Sequence, residues 1–152
     1  MRYPYESSLS GVAATTGIVL AAGASSRMGQ PKALLELPNG TPLAVHQCNL
    51  LRQAGCLHAV VVLGADAERI AAQLPQCQIV INPNWQHGRF SSLQAGLRGA
   101  PASEGYLILP VDSVGIAAET LAAVLATASN GPFHAVRPVY DGQSGRVLWI
   151  SR

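Results

Sequence analysis

The chain has 152 residues, a hydrophobic fraction of 49%, a charged fraction of 12% and a formal net charge of +2. This length and composition predict one soluble domain with a sizeable buried core and exclude a disordered chain. The small net charge argues against a broad nucleic-acid surface, and no apolar stretch is long enough to span a membrane.

The first residues lack any hydrophobic periodicity, so residues 1–16 are expected to form an irregular or disordered lead-in to a domain over residues 17–152. The apolar stretch at 12–22 ends in small residues that loosely resemble a signal-peptidase site. The residues before it contain only one arginine and one glutamate, which is a poor start for a signal peptide. We therefore favour a buried strand over residues 18–22 that runs into a glycine turn.

Helices and strands then alternate along the chain. An apolar stripe predicts a helix over residues 43–54, ended by Gly55. A β-branched run predicts a strand over residues 58–63. Asp66 is placed to cap the helix that follows. The apolar stripe of that helix consists of Ala67, Ile70, Ala71 and Leu74.

The second half of the chain continues the same alternation. Apolar stripes predict two further helices, over residues 93–100 and 121–128. The Asp141-Gly142 pair predicts a turn between the last two strands. The remaining strands are predicted at residues 78–81, 106–109, 135–139 and 146–150.

This order of elements predicts a Rossmann-like, three-layer α/β/α fold with a mostly parallel sheet covered on both faces. In such folds, ligands bind outside the carboxyl ends of the strands. Three segments follow predicted strand ends and hold unusual residues, namely 23–32, 82–92 and 110–115. A binding site is expected where they meet.

The first segment has the composition of a phosphate-binding turn. Its small residues let the backbone approach a polyanion and let consecutive amides form an anion nest. Arg27 and Lys32 add positive charge. The segment is neither a Walker A loop nor a G-x-G-x-x-G turn. On the residues alone, a glycine and serine turn with two solvated cations is an equal alternative.

The other two segments also allow two interpretations each. Ser91 or Ser92 would cap the following helix, or the loop around them would face the base and ribose of a nucleotide. Asp112 would cap a turn, or its carboxylate would coordinate a hard cation just past a buried strand. A charged turn and a lone acid are thus expected to face each other across one end of the sheet.

A family resemblance bears on all three segments. Residues 20–32 read Leu-Ala-Ala-Gly-Ala-Ser-Ser-Arg-Met-Gly-Gln-Pro-Lys. This run is similar to the LAAGxSxRMGxxK signature of the MobA-like nucleotidyltransferases at every fixed position. Residues 82–93 resemble the family's N-P-x-W-x-x-G-x-x-S-S-L stretch. Asp112 matches the acid of the family's P-V-D-x-P context, in which Val114 replaces the usual proline. The Leu-Ala-Ala-Gly form looks more like the molybdenum cofactor cytidylyltransferase branch.

The resemblance implies a nucleotide-diphospho-sugar transferase-like fold and a specific reaction. A nucleoside monophosphate would pass from a triphosphate, with CTP favoured, to a phosphate acceptor such as molybdopterin, and pyrophosphate would leave. Asp112 would hold Mg²⁺, and Lys32 and Arg27 would act with it as catalytic residues. The implied nucleotide-binding set is Leu20, Ala21, Ala22, Gly23, Ser25, Ser26, Arg27, Lys32, Asn82, Gly88, Ser91 and Ser92.

The resemblance weakens towards the C-terminus. The family's G-x-x-G-H-P stretch is replaced by residues 142–147, which read Gly-Gln-Ser-Gly-Arg-Val. The family also usually continues for a further strand and helix, which complete the acceptor pocket. Three hypotheses stay open: a cytidylyltransferase with a reduced acceptor site, a catalytically weak nucleotide-binding module completed by a partner or left as a remnant, and a transferase for a sugar phosphate or other small phosphate. An apolar surface left uncovered by the shortened end would favour self-association.

The cysteine count indicates a reducing compartment. Cys48, Cys56 and Cys77 are odd in number and form no C-x-x-C pair, so neither a disulfide framework nor a zinc site is predicted. Each is expected to behave as a small buried hydrophobe in a cytoplasmic protein.

Overall fold

The computed structural model describes residues 13–25, 27 and 29–152. The helices are α1 (Leu43–Ala54), α2 (Ala67–Ala71), α3 (Arg89–Gly99) and α4 (Ala118–Ser129). Short 3₁₀ turns occur at Lys32–Leu34 and Trp85–His87. The strands are β1 (Thr15–Leu20), β2 (His58–Leu63), β3 (Gln78–Ile81), β4 (Gly105–Pro110), β5 (Ala135–Val136), β6 (Val139–Tyr140), β7 (Gln143–Ser144) and β8 (Leu148–Ser151).

Six strands form the central sheet in the order β3-β2-β1-β4-β8-β5. The first four of these are mutually parallel, while β8 runs antiparallel to both β4 and β5. The prediction of a mostly parallel, three-layer α/β/α fold is confirmed. Leu20 at the end of β1 pairs with Val62 on one side and Pro110 on the other, so three strand ends meet at one edge.

Each face of the sheet has its own apolar core. One core packs α1, α2 and α4 against residues such as Val19, Val61 and Leu107, all of which are fully buried. The other packs α3 against the alternate residues, among them Ile18 and Val60. This division follows from the two-residue period of a strand. Among the described residues, three helices thus cover one face and a single helix covers the other. Among the described residues, no helix is both long and apolar enough to cross a lipid bilayer.

The first strand begins earlier than predicted. Thr15 and Thr16, assigned from the sequence to the lead-in, are the first residues of β1, and residues 1–12 lie outside the described part of the chain. Both threonines are buried with satisfied hydroxyls: the Thr16 Oγ1 lies 2.6 Å from the Ser103 Oγ, and the Thr15 Oγ1 accepts a hydrogen bond from the Trp149 indole. Strand β1 was predicted from its run of apolar residues. Two polar threonines lie outside such a run, and the partners that allow their burial are distant in sequence.

Two local predictions are wrong. Asp66 does not cap α2, because its φ of 51° turns the chain into the left-handed region and its carboxylate pairs with the Arg69 guanidinium at 3.1 Å. Of the two predicted closing strands, the first, over residues 135–139, is interrupted, whereas the second, predicted at 146–150, is continuous from Leu148 to Ser151. Asp141 and Gly142, with φ of 49° and 73°, form the predicted turn, but it joins β6 and β7 in a separate two-stranded sheet. Pro138, which lacks an amide donor, lies where the longer strand is broken.

The three cysteines are free, and two of them share a hydrogen bond. Cys48 and Cys56 are buried, while Cys77 is half-buried. The hydrogen bond between the Cys48 and Cys77 thiols raises the pKa of Cys48, with burial adding to the effect. The same bond outweighs burial at Cys77 and lowers its pKa to about 7. Because Cys77 is only half-buried, the expectation of a fully buried small hydrophobe holds for Cys48 and Cys56 but not for Cys77.

Replacement of Gly105 by alanine should destabilise the fold. A Cβ there would overlap the indole ring of Trp149, which is 3% exposed and fixed by its hydrogen bond to Thr15. Overpacking a rigid site costs about 1–3 kcal/mol. Urea unfolding followed by far-UV circular dichroism should show this loss for Gly105→Ala.

The matched control is Gly131→Ala. The atoms that its Cβ would meet belong to the tip of Phe133, a side chain that is 46% exposed and free to move aside. Equal unfolding midpoints for the two variants would show that the Trp149 ring does not confine Gly105.

Candidate functional site

The loop after β1 is held at both of its ends. The Ala21 amide donates to the Val62 carbonyl at 2.9 Å, and the Ala65 amide donates to the Ala22 carbonyl at 3.2 Å. Further along, the Lys32 amide donates to the Ser25 hydroxyl at 3.2 Å. These contacts close the loop over the end of the sheet and place the Lys32 side chain above it.

The middle of this loop leaves backbone donors for a ligand. Within the described part of the chain, the amides of residues 22–25 donate to no backbone or side-chain acceptor. Ser25 has a φ of 50°, and this left-handed turn gives the chain the curvature of an anion nest. The loop therefore offers amide donors to a polyanion, as its composition predicts.

Asp112 lies between two cations. The Val111 amide donates to the Leu20 carbonyl at 3.0 Å, which extends the pairing of β1 and β4 up to the acid. The Lys32 Nζ lies 2.9 Å from the Asp112 Oδ2, and the Arg146 Nη2 lies 3.2 Å from its Oδ1. Partial burial acts to raise the pKa of Asp112, but the Lys32 hydrogen bond and the charges of Arg146 and Lys32 outweigh it and hold that pKa below its usual value. The carboxylate is thus ionised at neutral pH.

A buried glutamine fixes the backbone around this acid. The Gln47 amide group, on α1, donates to the Val111 and Ser113 carbonyls, both at 3.0 Å. Gln47 is fully buried, so these two bonds are shielded from water. They hold the residues on either side of Asp112 and thereby set the direction of its side chain.

The loop after β3 is organised around Asn82. The Asn82 amide group donates to the hydroxyls of Ser91 and Ser92 at 2.9 and 3.1 Å, and its Oδ1 accepts from the Asn84 amide at 3.0 Å. The Ser91 hydroxyl lies 2.8 Å from the Gly88 carbonyl, to which it donates. Neither serine caps α3, which begins after Gly88 without a side-chain cap. The polar groups of Asn82 and Ser91 therefore form hydrogen bonds within the loop itself.

A close approach of two backbones places Trp85 over the same edge. A Cβ on Gly64 would overlap Trp85 and lie 2.7 Å from the Ala22 carbonyl oxygen. Because only a glycine fits between them, the loops after β1 and β3 meet across the end of β2. The Trp85 side chain thereby reaches the cavity described next.

These loops enclose a cavity of about 430 Å³. Of the residues predicted from sequence, it is lined by Leu20, Ala21, Ala22, Gly23, Ser25, Lys32, Gly88, Ser92 and Asp112. Arg27 is exposed and, among the described residues, is not part of the lining; Asn82 and Ser91 line a separate depression. Ser26 lies outside the described residues.

The cavity is also lined by residues that were not assigned to the site individually. Trp85, Gln86 and Arg89 lie in the predicted segment 82–92, and Pro110 and Val111 lie in the segment 110–115, whereas Arg146 lies outside all three segments. Arg146 matters most among them, because it contacts Asp112 directly. Its only signal in the sequence is that it stands where the resembled family has a histidine. The lining carries three cationic side chains and one carboxylate, so the cavity has a net positive charge that suits several phosphates.

A metal ion that is also bound by phosphates can be held by a single protein carboxylate. Within the described residues, no group of three histidine, cysteine or acidic side chains is arranged to hold a metal ion. Mg²⁺ commonly binds through one or two carboxylates, substrate phosphates and water. Asp112 fits that role, provided that Lys32 and Arg146 turn from its oxygens towards the phosphates.

Comparison with known proteins gives a consistent picture of the fold. The family model described as the MobA-like NTP transferase domain matches residues 17–152. The structure is similar to that of Rv0371c from Mycobacterium tuberculosis H37Rv, with a TM-score of 0.76 and 28% identity over 93% of this chain and 73% of that one. The M. tuberculosis protein has also been solved in complex with manganese.

Two curated relatives carry different activities in their names. Nicotine blue oxidoreductase of Paenarthrobacter nicotinovorans is 37% identical over 113 residues, which are 72% of this chain and 55% of that protein. Molybdenum cofactor guanylyltransferase of Xanthomonas euvesicatoria pv. vesicatoria is 35% identical over 111 residues, which are 73% of this chain and 53% of that protein. The chain thus spans about half the length of each of these relatives.

Substitution of Gln47 by leucine should loosen the segment that carries Asp112. The change removes both donors and leaves the Val111 and Ser113 carbonyls buried without partners, which costs about 1–3 kcal/mol. Urea unfolding should give a lower midpoint for Gln47→Leu. Gln53→Leu is the control, because Gln53 is an exposed residue of the same helix. An unchanged midpoint in Gln47→Leu would contradict the supporting role of these two bonds.

Proposed function

This chain belongs to the MobA-like NTP transferase family, and we propose on that basis that it is a nucleotidyltransferase. The cavity after β1 would bind a nucleoside triphosphate. An oxygen of an acceptor phosphate would form a bond to the α-phosphorus while the bond from that phosphorus to the bridging oxygen breaks, and pyrophosphate leaves. The observation that carries this proposal is the contact of Lys32 and Arg146 with Asp112, beside loop amides that are unpaired within the described part of the chain.

The ion pairs at the site exchange partners at little cost. The Lys32 and Asp112 side chains are 38% and 33% exposed, and ion pairs of this kind contribute about 0–1 kcal/mol. Both cations can therefore move from Asp112 to phosphate oxygens when a triphosphate binds. Lys32 would then hold the β- and γ-phosphates and stabilise the leaving pyrophosphate, while the amides of residues 22–25 hold oxygens near the α-phosphorus.

The protein's main contribution is position and charge. No covalent intermediate is needed, since in-line attack requires only that the acceptor oxygen and the leaving group be held on opposite sides of the phosphorus. A divalent cation held by Asp112 would neutralise charge on the phosphates. The manganese complex of the similar M. tuberculosis protein supports a metal in this fold. Arg27 stays a candidate second phosphate ligand.

The base and the acceptor are narrower proposals. The Leu-Ala-Ala-Gly run favours CTP through its resemblance to cytidylyltransferases, whereas the curated relative from Xanthomonas is named a guanylyltransferase. That name supports molybdopterin as the acceptor, and a sugar phosphate is the alternative.

Incubation with Mg²⁺ and each of the four triphosphates, with and without molybdopterin, separates these possibilities. Pyrophosphate release that needs both a triphosphate and the acceptor supports the transferase; triphosphate binding without release supports a weak binding module.

The likeness to nicotine blue oxidoreductase favours a second candidate, an oxidoreductase. The two functions differ in what the bound nucleotide does: a transferase cleaves it, whereas a nucleotide cofactor for oxidation and reduction is recovered with its phosphates intact. Reduction of nicotine blue by an added reduced nucleotide cofactor, with no pyrophosphate formed from any triphosphate, would favour the oxidoreductase.

Loss of the Lys32 ammonium should abolish most of the transfer. Lys32 is the only lysine in the sequence, and its Nζ is the nearest cation to Asp112. We expect Lys32→Ala to lower the rate of pyrophosphate release by about a hundredfold or more, as loss of a transition-state donor does. Its unfolding midpoint should hardly change, because the pair is exposed. Equal rates in variant and wild type would remove Lys32 from the reaction.

Neutralising Asp112 should abolish metal-dependent transfer. We expect Asp112→Asn to lose transfer at every Mg²⁺ or Mn²⁺ concentration, since a neutral amide binds a hard cation more weakly than a carboxylate does. Asp66→Asn is the matched control: Asp66 also follows a strand and pairs with an arginine, but it lies outside the cavity. Identical metal titration curves for Asp112→Asn and wild type would reject the metal assignment.

A further inference from the structure

We propose that Cys48 and Cys77 form an oxidisable pair, in which a peroxide converts the two thiols into a disulfide that loosens the segment around Asp112. Cys48 lies in the middle of α1, and Cys77 lies immediately before β3. The two thiols share a hydrogen bond, and Cys77 packs against the same core cluster that contains Cys48. The fold thus brings two thiols that are far apart in sequence into direct contact.

Burial gives the two thiols different roles. Cys77 is half-buried, so a small oxidant in solution can reach its sulfur, whereas Cys48 is only 1% exposed. The S–H of Cys48 donates to the Cys77 sulfur, and this bond lowers the pKa of Cys77 in spite of its partial burial. The positive charge of Arg52, one turn further along α1, acts in the same direction. Cys77 is therefore the thiol that reacts with the oxidant, and Cys48 is the thiol that resolves the product.

The reaction is a two-electron oxidation of the thiols by hydrogen peroxide, in two steps. The Cys77 thiolate attacks one peroxide oxygen, the O–O bond breaks, and the departing hydroxide takes up the proton that Cys77 had released. The Cys48 sulfur then attacks the sulfur of the sulfenic acid, the S–O bond breaks, and the departing oxygen takes the Cys48 proton. Two thiols and one peroxide thus give one disulfide and two waters. In a reducing compartment the disulfide is transient, because thiol exchange restores both cysteines.

The position of β3 in the sheet gives the direction in which the disulfide would pull α1. Strand β3 lies at one edge, and β2 and β1 separate it from β4. An S–S bond of about 2.05 Å is much shorter than a hydrogen bond between thiols, so its formation draws α1 towards β3 and away from β4. Gln47, which precedes Cys48 on α1, donates to the Val111 and Ser113 carbonyls after β4. Oxidation should therefore stretch these two bonds and loosen the residues on either side of Asp112.

Mass spectrometry of the full chain after treatment with hydrogen peroxide tests the chemistry. We expect the intact mass to fall by two hydrogen atoms, dithiothreitol to reverse the change, and peptide mapping to join Cys48 to Cys77. In Cys48→Ala, which leaves the sulfenic acid unresolved, dimedone should label Cys77. Cys56→Ala is the matched control, because Cys56 is also buried but does not share the hydrogen bond, and its cross-link should form as in the wild type.

Three outcomes of these measurements would overturn the oxidisable pair. The first is the absence of any cross-link in the wild type, and the second is a cross-link that includes Cys56. The third is a variant Cys77→Ser whose remaining thiols react with peroxide as fast as those of the wild type, since Cys77 is the thiol that reacts first. The wild-type measurement needs no substitution, so it stands even where a variant folds poorly.

Amide hydrogen exchange over residues 110–115 tests the coupling to Asp112, whose importance rests on the proposed function. We expect oxidation to speed exchange in this segment about tenfold, because two supporting hydrogen bonds are weakened. In Gln47→Leu, which already lacks both bonds, oxidation should cause no further change. Equal exchange in the oxidised and reduced wild type would overturn the coupling. No step here needs turnover, so a chain that forms the cross-link and transfers no nucleotide would refute the proposed function and leave the oxidisable pair intact.

Discussion

The Asp112 carboxylate and the two cations beside it connect three parts of the chain that are far apart in sequence. Lys32 follows β1, Asp112 follows β4, and Arg146 follows β7, and they meet because β1 and β4 are parallel and end at the same level. The buried Gln47 then fixes the acid from below. The attraction itself is weak, since all three groups are partly exposed. The arrangement is therefore suited to exchanging its partners for phosphates rather than to holding the fold together.

The parts of this structure that the sequence predicts best are those governed by short-range periodicity. Apolar stripes locate α1 within its observed bounds, and β-branched residues do the same for β2. Lys32 and Asp112 were predicted to face each other, because each follows a strand and parallel strands end at the same edge of the sheet. Arg146 escapes prediction, because its position depends on β8 returning antiparallel to β4, a long-range pairing without a local signal. Asn82 was expected near the nucleotide, whereas its bonds to the serine hydroxyls become visible only once the loop is folded.

The named activities of the two relatives show that the phosphate-binding loop alone does not determine which reaction this fold catalyses. A guanylyltransferase and an oxidoreductase of nicotine blue are about equally similar to this chain. A fold alone does not determine a reaction. The loop after β1 carries amides that are unpaired among the described residues and a nearby cation, features that suit any phosphate group. The features that separate the two activities must lie outside this loop, and among the described residues one face of the sheet is covered by α3 alone.

The solitary lysine has a practical consequence for chemical labelling. Reagents that acylate primary amines can modify the side chain of only one residue in the sequence, and that residue lies against Asp112. Acylation removes its charge, so Asp112 would keep a single cationic neighbour, Arg146. The mass added by such a reagent thus reports on the environment of one ammonium group, apart from any reaction at the chain's α-amino group.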